Sequence, residues 1–284
     1  VDAGFTCPNI DGTVAYGGCT FCDNKTFSTN SRMPPQPLSE QIREGMAFYR
    51  EKFEAEKFII YFQAFSNTHA PVDRLRSLYD LALEFPDVVG IAIGTRPDCV
   101  PETVLDLLSE YHRKTHLWVE YGLQSIHDKT MDPLNRGHSY EQFKDAVSRS
   151  QRRGLSVCTH VILGLPGETP EMMMETADEV ARVGMKAIKI HHLYIAKNSL
   201  LGKQHRENPA PTLSLDAYIG LVCDFLERMP PELVIERLMG ELSPDHAIAP
   251  SWNKSKGEIL HRIHGEFKRR GTRQGSRWAV PVSG

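Results

Sequence analysis

Phe58-Ile-Ile-Tyr-Phe62 is followed by a helical pattern from Val72 to Glu84 and then by Val88-Val-Gly-Ile-Ala-Ile93. Both apolar runs are short, rich in β-branched or aromatic residues and bounded by turn residues, as strands buried on two faces are. The beat continues along the chain. Pro101 to His112 reads as a helix with Pro101 in its first turn, and His116-Leu-Trp-Val-Glu-Tyr121 as a strand. Helical stretches follow at His127 to Met131 and Tyr140 to Arg153. Val157 to Leu163 and Ala187 to Leu193 are further strands, separated by a helix from Pro170 to Gly184. With Val1 to Phe5 as the first strand, six βα beats emerge. Repeated βα units form parallel sheets through right-handed crossovers. A doubly wound sheet fits this alternation too. Six units with a cysteine loop directly after the first strand favour an α/β fold of the partial (β/α)6 TIM-like barrel kind, open on one side. The barrel is expected over residues 1–205, with a small C-terminal α/β extension over 206–284.

The loop after Val1 to Phe5 carries three cysteines in the frame Cys7-x11-Cys19-x2-Cys22, flanked by Pro8, Gly17, Gly18 and Phe21. Four thiolates would close a structural zinc or iron–sulfur site, whereas three leave one iron of a cubane cluster open to another ligand. The spacing alone also admits a three-thiolate zinc loop completed by a histidine or water.

Composition sets the class. At 284 residues with 40% apolar content, the chain can bury one large core, and α/β barrels have about this length in one domain. No apolar run approaches the roughly 20 residues that a membrane helix needs, and no signal-peptide pattern opens the chain, so no membrane partner is expected. A first residue already inside an expected strand reads as a trimmed start. Cys99, Cys158 and Cys223 are dispersed, and six cysteines are too few for a disulfide scaffold, which predicts a reducing, cytoplasmic setting. A net charge of −3 favours no class of partner. There is no P-loop G-x4-G-K-[ST] and no G-x-G-x-x-G after a strand, so nucleoside triphosphate and dinucleotide folds are poor readings.

Active sites on parallel sheets lie at the carboxyl ends of the strands. The segments there are Gln63-Ala-Phe-Ser-Asn-Thr68, Gly94-Thr-Arg-Pro97, Glu120-Tyr-Gly-Leu-Gln-Ser125, Gly164-Leu-Pro-Gly-Glu-Thr169 and His191-His-Leu-Tyr194. Each has an ordinary reading when taken singly: Gly164 and Gly167 as turn glycines, Gln124 as a cap, His191 as a core histidine. Polar or glycine-rich chemistry at every strand end is harder to attribute to turn composition.

At these residues the chain resembles the radical S-adenosylmethionine (SAM) enzymes, and most closely the YhcC-like family. Phe5-Thr-Cys-Pro-Asn-Ile-Asp-Gly12, Gly17-Gly-Cys-Thr-Phe-Cys22, Tyr61-Phe-Gln-Ala-Phe-Ser-Asn-Thr68, Thr95-Arg-Pro97 and Asn135-Arg-Gly-His138 carry the likeness. Similar blocks occur in the catalytic subunit of Elongator and in oxygen-independent coproporphyrinogen oxidase. The resemblance implies a 4Fe-4S cluster held by Cys7, Cys19 and Cys22, with S-adenosyl-L-methionine bound at the open iron. Phe21 matches an aromatic position whose backbone neighbours the adenine. Ser66, Asn67 and Thr68 match the segment holding the methionine amino group, although Gln63 and Ala64 replace the usual glycines. Gln124 and Arg136 match the pair holding ribose and carboxylate, where a guanidinium fork suits two parallel charge-assisted bonds. Glu120 matches a polar position facing the cofactor. His160 stands where relatives place an aspartate on the ribose. Gly164, with Pro166 and Gly167, matches a loop passing near the adenine, where bare backbone permits close approach. The implied reaction is reductive cleavage of the cofactor to a 5′-deoxyadenosyl radical acting on an unidentified substrate, with an external electron donor of the flavodoxin or ferredoxin type. His191, His192 and Tyr194 are candidate substrate contacts, with core packing the equal alternative.

Leu213 to Arg228 reads as an amphipathic helix, Leu233-Val-Ile-Glu236 as a short strand, and Arg237 to Pro250 as a loop bearing Glu241, Asp245 and His246. From Lys254 to Arg277 there are eight Lys or Arg against two Glu. Ile259, Ile263 and Phe267 recur every fourth residue, so part of this stretch is a helix docked by one face. The basic face could meet RNA or a phosphorylated substrate; a solvated helix and tail is the favoured reading. A non-catalytic, metal-stabilised RNA-binding module is thus the alternative to an enzyme. Met172, Met173 and Met174 are expected as one turn of helix filling core and surface.

Overall fold

The computed structural model describes residues 1–28, 30–240 and 245–279. Its first half runs α1 (Asn24–Phe27), α2 (Leu38–Phe53), β1 (Phe58–Phe62), α3 (Val72–Leu83), β2 (Val88–Thr95), α4 (Glu102–Lys114) and β3 (His116–Gln124). There follow α5 (Asp128–Met131), α6 (Tyr140–Arg152), β4 (Ser156–Leu163), α7 (Pro170–Val183), β5 (Ala187–His192) and β6 (Ile195–Ala196). The last part is α8 (Leu200–Glu207), α9 (Leu215–Glu227), β7 (Val234–Arg237), β8 (Ala247–Ala249) and α10 (Lys256–Arg270). Six strands form one sheet in the order β1-β2-β3-β4-β5-β7, while β6 and β8 make a small antiparallel ribbon. The pairs β1–β2, β2–β3, β4–β5 and β5–β7 are parallel, which is the α/β sheet expected from the strand–helix alternation.

The sixth strand is β7, not Val1 to Phe5. Gly4 takes the left-handed conformation (φ +68°), which interrupts an extended run. The backbone around it is satisfied by side chains instead of a ladder: Gln41 bonds both ways with Asp2, and Arg74 donates to Gly4 O at 2.9 Å. The Val1 ammonium to Tyr61 O bond (2.7 Å) and a longer Gln63 N to Val1 O bond tie the segment to β1. Residues 237–250 also depart from the expected loop, because Ala247–Ala249 pairs with β6. Glu241 lies outside the described residues.

Two compact units make up the chain: residues 1–18, 23–122 and 141–157 in one, and residues 19–22, 123–140 and 158 onward in the other. In the first, alternate strand residues Phe62, Ile91, Ile93, Val119 and Tyr121 pack under the helices with Leu75, Leu105 and Tyr111, all nearly fully buried. Tyr79 meets Phe62 and Tyr111 edge-on, with ring centroids at 5.2 and 5.6 Å, the geometry favoured by aromatic quadrupoles. In the second, Val161, Leu163, Ile188 and Ile190 pack with Met173, Ala177 and Val180 of α7 and Val222 and Phe225 of α9. Met173 is the core member of the methionine turn. Ile259 and Ile263 bury one face of α10, and a capping box at Ser255 and Glu258 starts that helix. The other face of each strand is left for the residues described next.

Candidate active site

In the first unit, Cys7 begins a tight turn in which its carbonyl accepts from Ile10 N (2.7 Å) and Asp11 N (3.1 Å). Ser66 N donates to Thr6 O, joining this turn to the end of β1. Arg96 and Cys99 lie close enough to Cys7 to sense its charge. Arg96 is buried, and its guanidinium forks onto Asp98 at 2.9 and 2.7 Å. Burial, reinforced by the Asp98 carboxylate, pushes the Cys99 thiol up to about 12. Cys99 therefore stays a thiol and is a poor ligand.

The short cysteine arm belongs to the second unit. Thr20 N donates to Leu134 O (2.9 Å) and Leu201 N donates to Thr20 O (2.7 Å), so the backbone between Cys19 and Cys22 is held on both sides. Cys19 and Phe21 pack with Met131, Leu134, Leu165, Leu193, Ile195 and Leu201. Arg136 follows Asn135, which holds a left-handed φ of +54°, and its Nη1 donates to Cys19 Sγ at 3.6 Å.

All six cysteines are free thiols. Among the described residues no group of three or more His, Cys, Asp or Glu is gathered so as to hold a metal ion. In a cubane each thiolate takes its own iron, so the ligands need not converge on one centre. Three free thiols, one with a guanidinium beside it, are donor chemistry that fits a cubane cluster.

Strand ends of the first unit supply buried polar groups. Asn67 Nδ2 donates to Phe62 O and Gly94 O, and Tyr79 Oη donates to Asn67 O, which clamps the ends of β1 and β2. Asn67 Oδ1 is buried without a hydrogen-bond partner among the described residues, an acceptor that an ammonium would satisfy. Thr68 Oγ1 is spent on Thr95 Oγ1 and Cys99 O. Ser66 is buried beside Cys99. Glu120, only 2% exposed, accepts from Tyr61 Oη at 2.7 Å. A buried carboxylate is costly without such donors.

The second unit brings together the remaining candidates. Gln124 ends β3 with a left-handed φ of +74°, unusual for a residue with a side chain. Ser125 Oγ donates to the Glu168 carboxylate, whose pKa burial raises. Gly164 has φ +85°, and a Cβ there would lie 2.8 Å from Leu213, so glycine is required twice over. His160 and His191 stack with centroids 5.5 Å apart. Burial, with the nearby charges of His160 and Arg237, holds His191 neutral, well below the usual histidine range. His192 points the other way, onto Trp252 (4.2 Å) and Tyr218 (5.3 Å) in the apolar layer. Lys189, Glu236 and Arg237 join this cluster and were not singled out from sequence. Lys189 sits in an apolar run, and only the pairing of β5 with β7 places the other two beside it.

The basic C-terminal stretch is largely neutralised within the second unit. Arg270 pairs with Asp224, Glu227 and Glu266; Arg269 with Glu266; Arg277 with Glu227; Arg262 with Asp216; and Lys254 with Glu258. No helix among the described residues is long and apolar enough to cross a membrane.

Profiles of known families match two parts of the chain: the radical SAM superfamily over residues 14–180 and the Radical SAM C-terminal domain over residues 185–269. The uncharacterized protein YtqA of Bacillus subtilis is 43% identical over 97% of this chain and 85% of its own length. Protein YhcC of Escherichia coli is 36% identical over 98% of this chain and 90% of its own. The structure of Elp3 from the archaeon Methanocaldococcus infernus superposes with a TM-score of 0.73 at 18% identity, over 84% of this chain and 60% of that one. The chain belongs to the radical SAM superfamily of enzymes, among the YhcC and YtqA relatives, and its fold is the partial barrel of that class.

Proposed function

We propose that this enzyme holds a 4Fe-4S cluster through Cys7, Cys19 and Cys22 and uses S-adenosyl-L-methionine to act on a substrate not yet identified. When bound, the cluster would supply one electron for reductive cleavage of S-adenosyl-L-methionine and so generate a 5′-deoxyadenosyl radical. The observation that carries the reading is the braced Cys19–Cys22 arm with the Arg136 guanidinium on Cys19 Sγ. The chain's own residues bind and orient. Asn67 Oδ1 offers an acceptor to the methionine ammonium, and Ser66 lines the same segment. Thr68 braces that segment from behind. Glu120 and Gln124 present a carboxylate and an amide from one face of β3, suited to the cofactor's hydroxyl and amino donors. Gly164 and Phe21 would border the adenine through their backbone, and His160 faces the same layer as His191. The electron comes from an external flavodoxin or ferredoxin type of donor.

An RNA substrate gains no support from the C-terminal helix, whose arginines are held in internal pairs. Superfamily membership likewise leaves the non-catalytic alternative without an observation in its favour.

The test is anaerobic reconstitution followed by reduction. About four iron and four sulfide per chain are expected from the cluster formula, with slow release of 5′-deoxyadenosine when S-adenosyl-L-methionine is added. Cys19→Ala should lose both. Stoichiometric zinc without iron, in protein prepared anaerobically from iron-replete cells, would overturn the reading.

A further inference from the structure

The left-handed backbone at Gln124 (φ +74°) needs something to hold it, because strain of this kind persists only where the surroundings over-determine it. The next residue in the second unit shows what does. Ser125, 3% exposed, donates through Oγ to the Glu168 carboxylate, and the same Oγ accepts from His127 N at 3.1 Å. Glu168 is fixed in its turn by the chain around it. It stands between Gly167, with φ +84°, and Thr169, the N-cap of α7, and its N donates to Leu165 O at 3.1 Å. Leu165 is packed in the apolar cluster with Phe21 and Cys19.

A second tie runs beside the first. His127 Nε2 donates to Met172 O in the first turn of α7 (2.9 Å) and lies 3.5 Å from Glu175 Oε2. Ser125, His127 and Thr130, the three groups that favour the ionised form of Glu168, all lie on the segment after β3. A buried carboxylate is costly unless donors reach it, so the charge on Glu168 draws that segment onto the loop after β4. The two loops so joined carry Gln124 and Gly164. The carboxylate faces the Ser125 hydroxyl, so its effect on a cofactor passes through the residues it holds.

We propose that Glu168 is a positioning residue: through Ser125 it keeps the end of β3 in its strained turn, and so sets the Gln124 amide where S-adenosyl-L-methionine binds. The use of that amide rests on the function proposed above; the staple between Ser125 and Glu168 does not.

The experiment has two arms. The first is equilibrium binding of S-adenosyl-L-methionine to reconstituted variants, with iron and sulfide measured in each. Gln124→Ala should weaken binding about tenfold, the upper worth of one neutral hydrogen bond. Glu168→Ala and Ser125→Ala should each do the same at near-parent cluster content. Glu168→Gln still accepts from the Ser125 hydroxyl and should recover most of the affinity. Glu168→Ala added to Gln124→Ala should cost less than about twofold more, because residues acting as one unit are not additive. A full second tenfold loss, or unchanged affinity in Glu168→Ala, would overturn the positioning role. The second arm is thermal melting of the cluster-free protein. Gln124→Gly should raise the melting temperature by about 2–4 °C in the parent. The rise should be less than half as large once Glu168→Ala has released the turn. An equal rise in both backgrounds would overturn the staple. Failure of the parent to bind S-adenosyl-L-methionine would overturn the proposed function instead, and the melting comparison would still decide the staple.

Discussion

Arg136 has one guanidinium and, under the function proposed above, two groups to serve, the Cys19 sulfur and the cofactor carboxylate. Its Nη1 already faces Cys19 Sγ at 3.6 Å, and the turn that carries it is fixed by Arg136 N donating to Met131 O. A second use of the same fork requires the planar geometry of arginine. Arg136→Lys keeps the charge and loses the fork. Equilibrium binding of S-adenosyl-L-methionine to reconstituted Arg136→Lys should weaken about ten- to a hundredfold, the worth of a charged hydrogen bond. Iron and sulfide content should stay near the parent's. Equal loss of cluster and cofactor binding would show that Arg136 only holds the loop.

The strand β5 divides its labour by alternation. Lys189 and His191 point to the polar cluster, while Ile188, Ile190 and His192 point to the helices. His192 is the exception in that apolar layer: burial lowers its pKa to about 4, and its Nδ1 has no hydrogen-bond partner among the described residues. The unfolded chain takes up this proton near pH 6.5 and the folded one only near 4. His192 therefore subtracts stability as pH falls through that window and subtracts nothing above it. His192→Phe fills the same space against Trp252 and Tyr218 without titrating. Urea midpoints at pH 7 and pH 5, followed by tryptophan emission, should differ less for this variant than for the parent. Most of the α/β order was legible in the sequence, whereas the split of roles along β5 was not, since His191 and His192 read alike there. What was not legible came from pairing at a distance. Lys189 looked like one polar residue inside an apolar run, and β7 like a stray strand, until β5 and β7 met. The mistaken first strand has the same cause: Val1 to Phe5 is extended by composition, yet Gln41 and Arg74, remote in sequence, claim its backbone. The three cysteines stood out by their short-range spacing, and Arg136 by the family resemblance.

At the scale of the whole chain, charge that reads as an external surface is used as internal ballast. Glu227 is fully buried and is neutralised by Arg270, Arg277 and the Thr272 hydroxyl, all contributed by α10 and the residues after it. Breaking a buried pair leaves an uncompensated charge and costs about 3–5 kcal/mol. Arg270→Ala should accordingly lower chemical stability by several kcal/mol on that scale. The paired change Lys268→Gln and Arg273→Gln should shift it by less than about 0.5 kcal/mol, as exposed charges do. Chemical denaturation of the two variants separates these outcomes. Fluorescence anisotropy with single-stranded RNA at moderate salt should show no affinity for the parent or for the Lys268 and Arg273 variant. Steeply salt-dependent binding would instead mean that some of these charges are open to phosphates.

Gln124 sits where the backbone would be more comfortable with no side chain at all. The chain thus accepts a conformational penalty, of order 1–2 kcal/mol for a side chain in the left-handed region, to keep an amide at the end of β3. Selection for robustness alone would install glycine there. Gln124→Gly should raise the melting temperature of the cluster-free protein and weaken its hold on S-adenosyl-L-methionine once reconstituted. At this position a hardier protein would be a poorer enzyme, and a library screened only for heat resistance would discard the trait that the fold has been strained to retain.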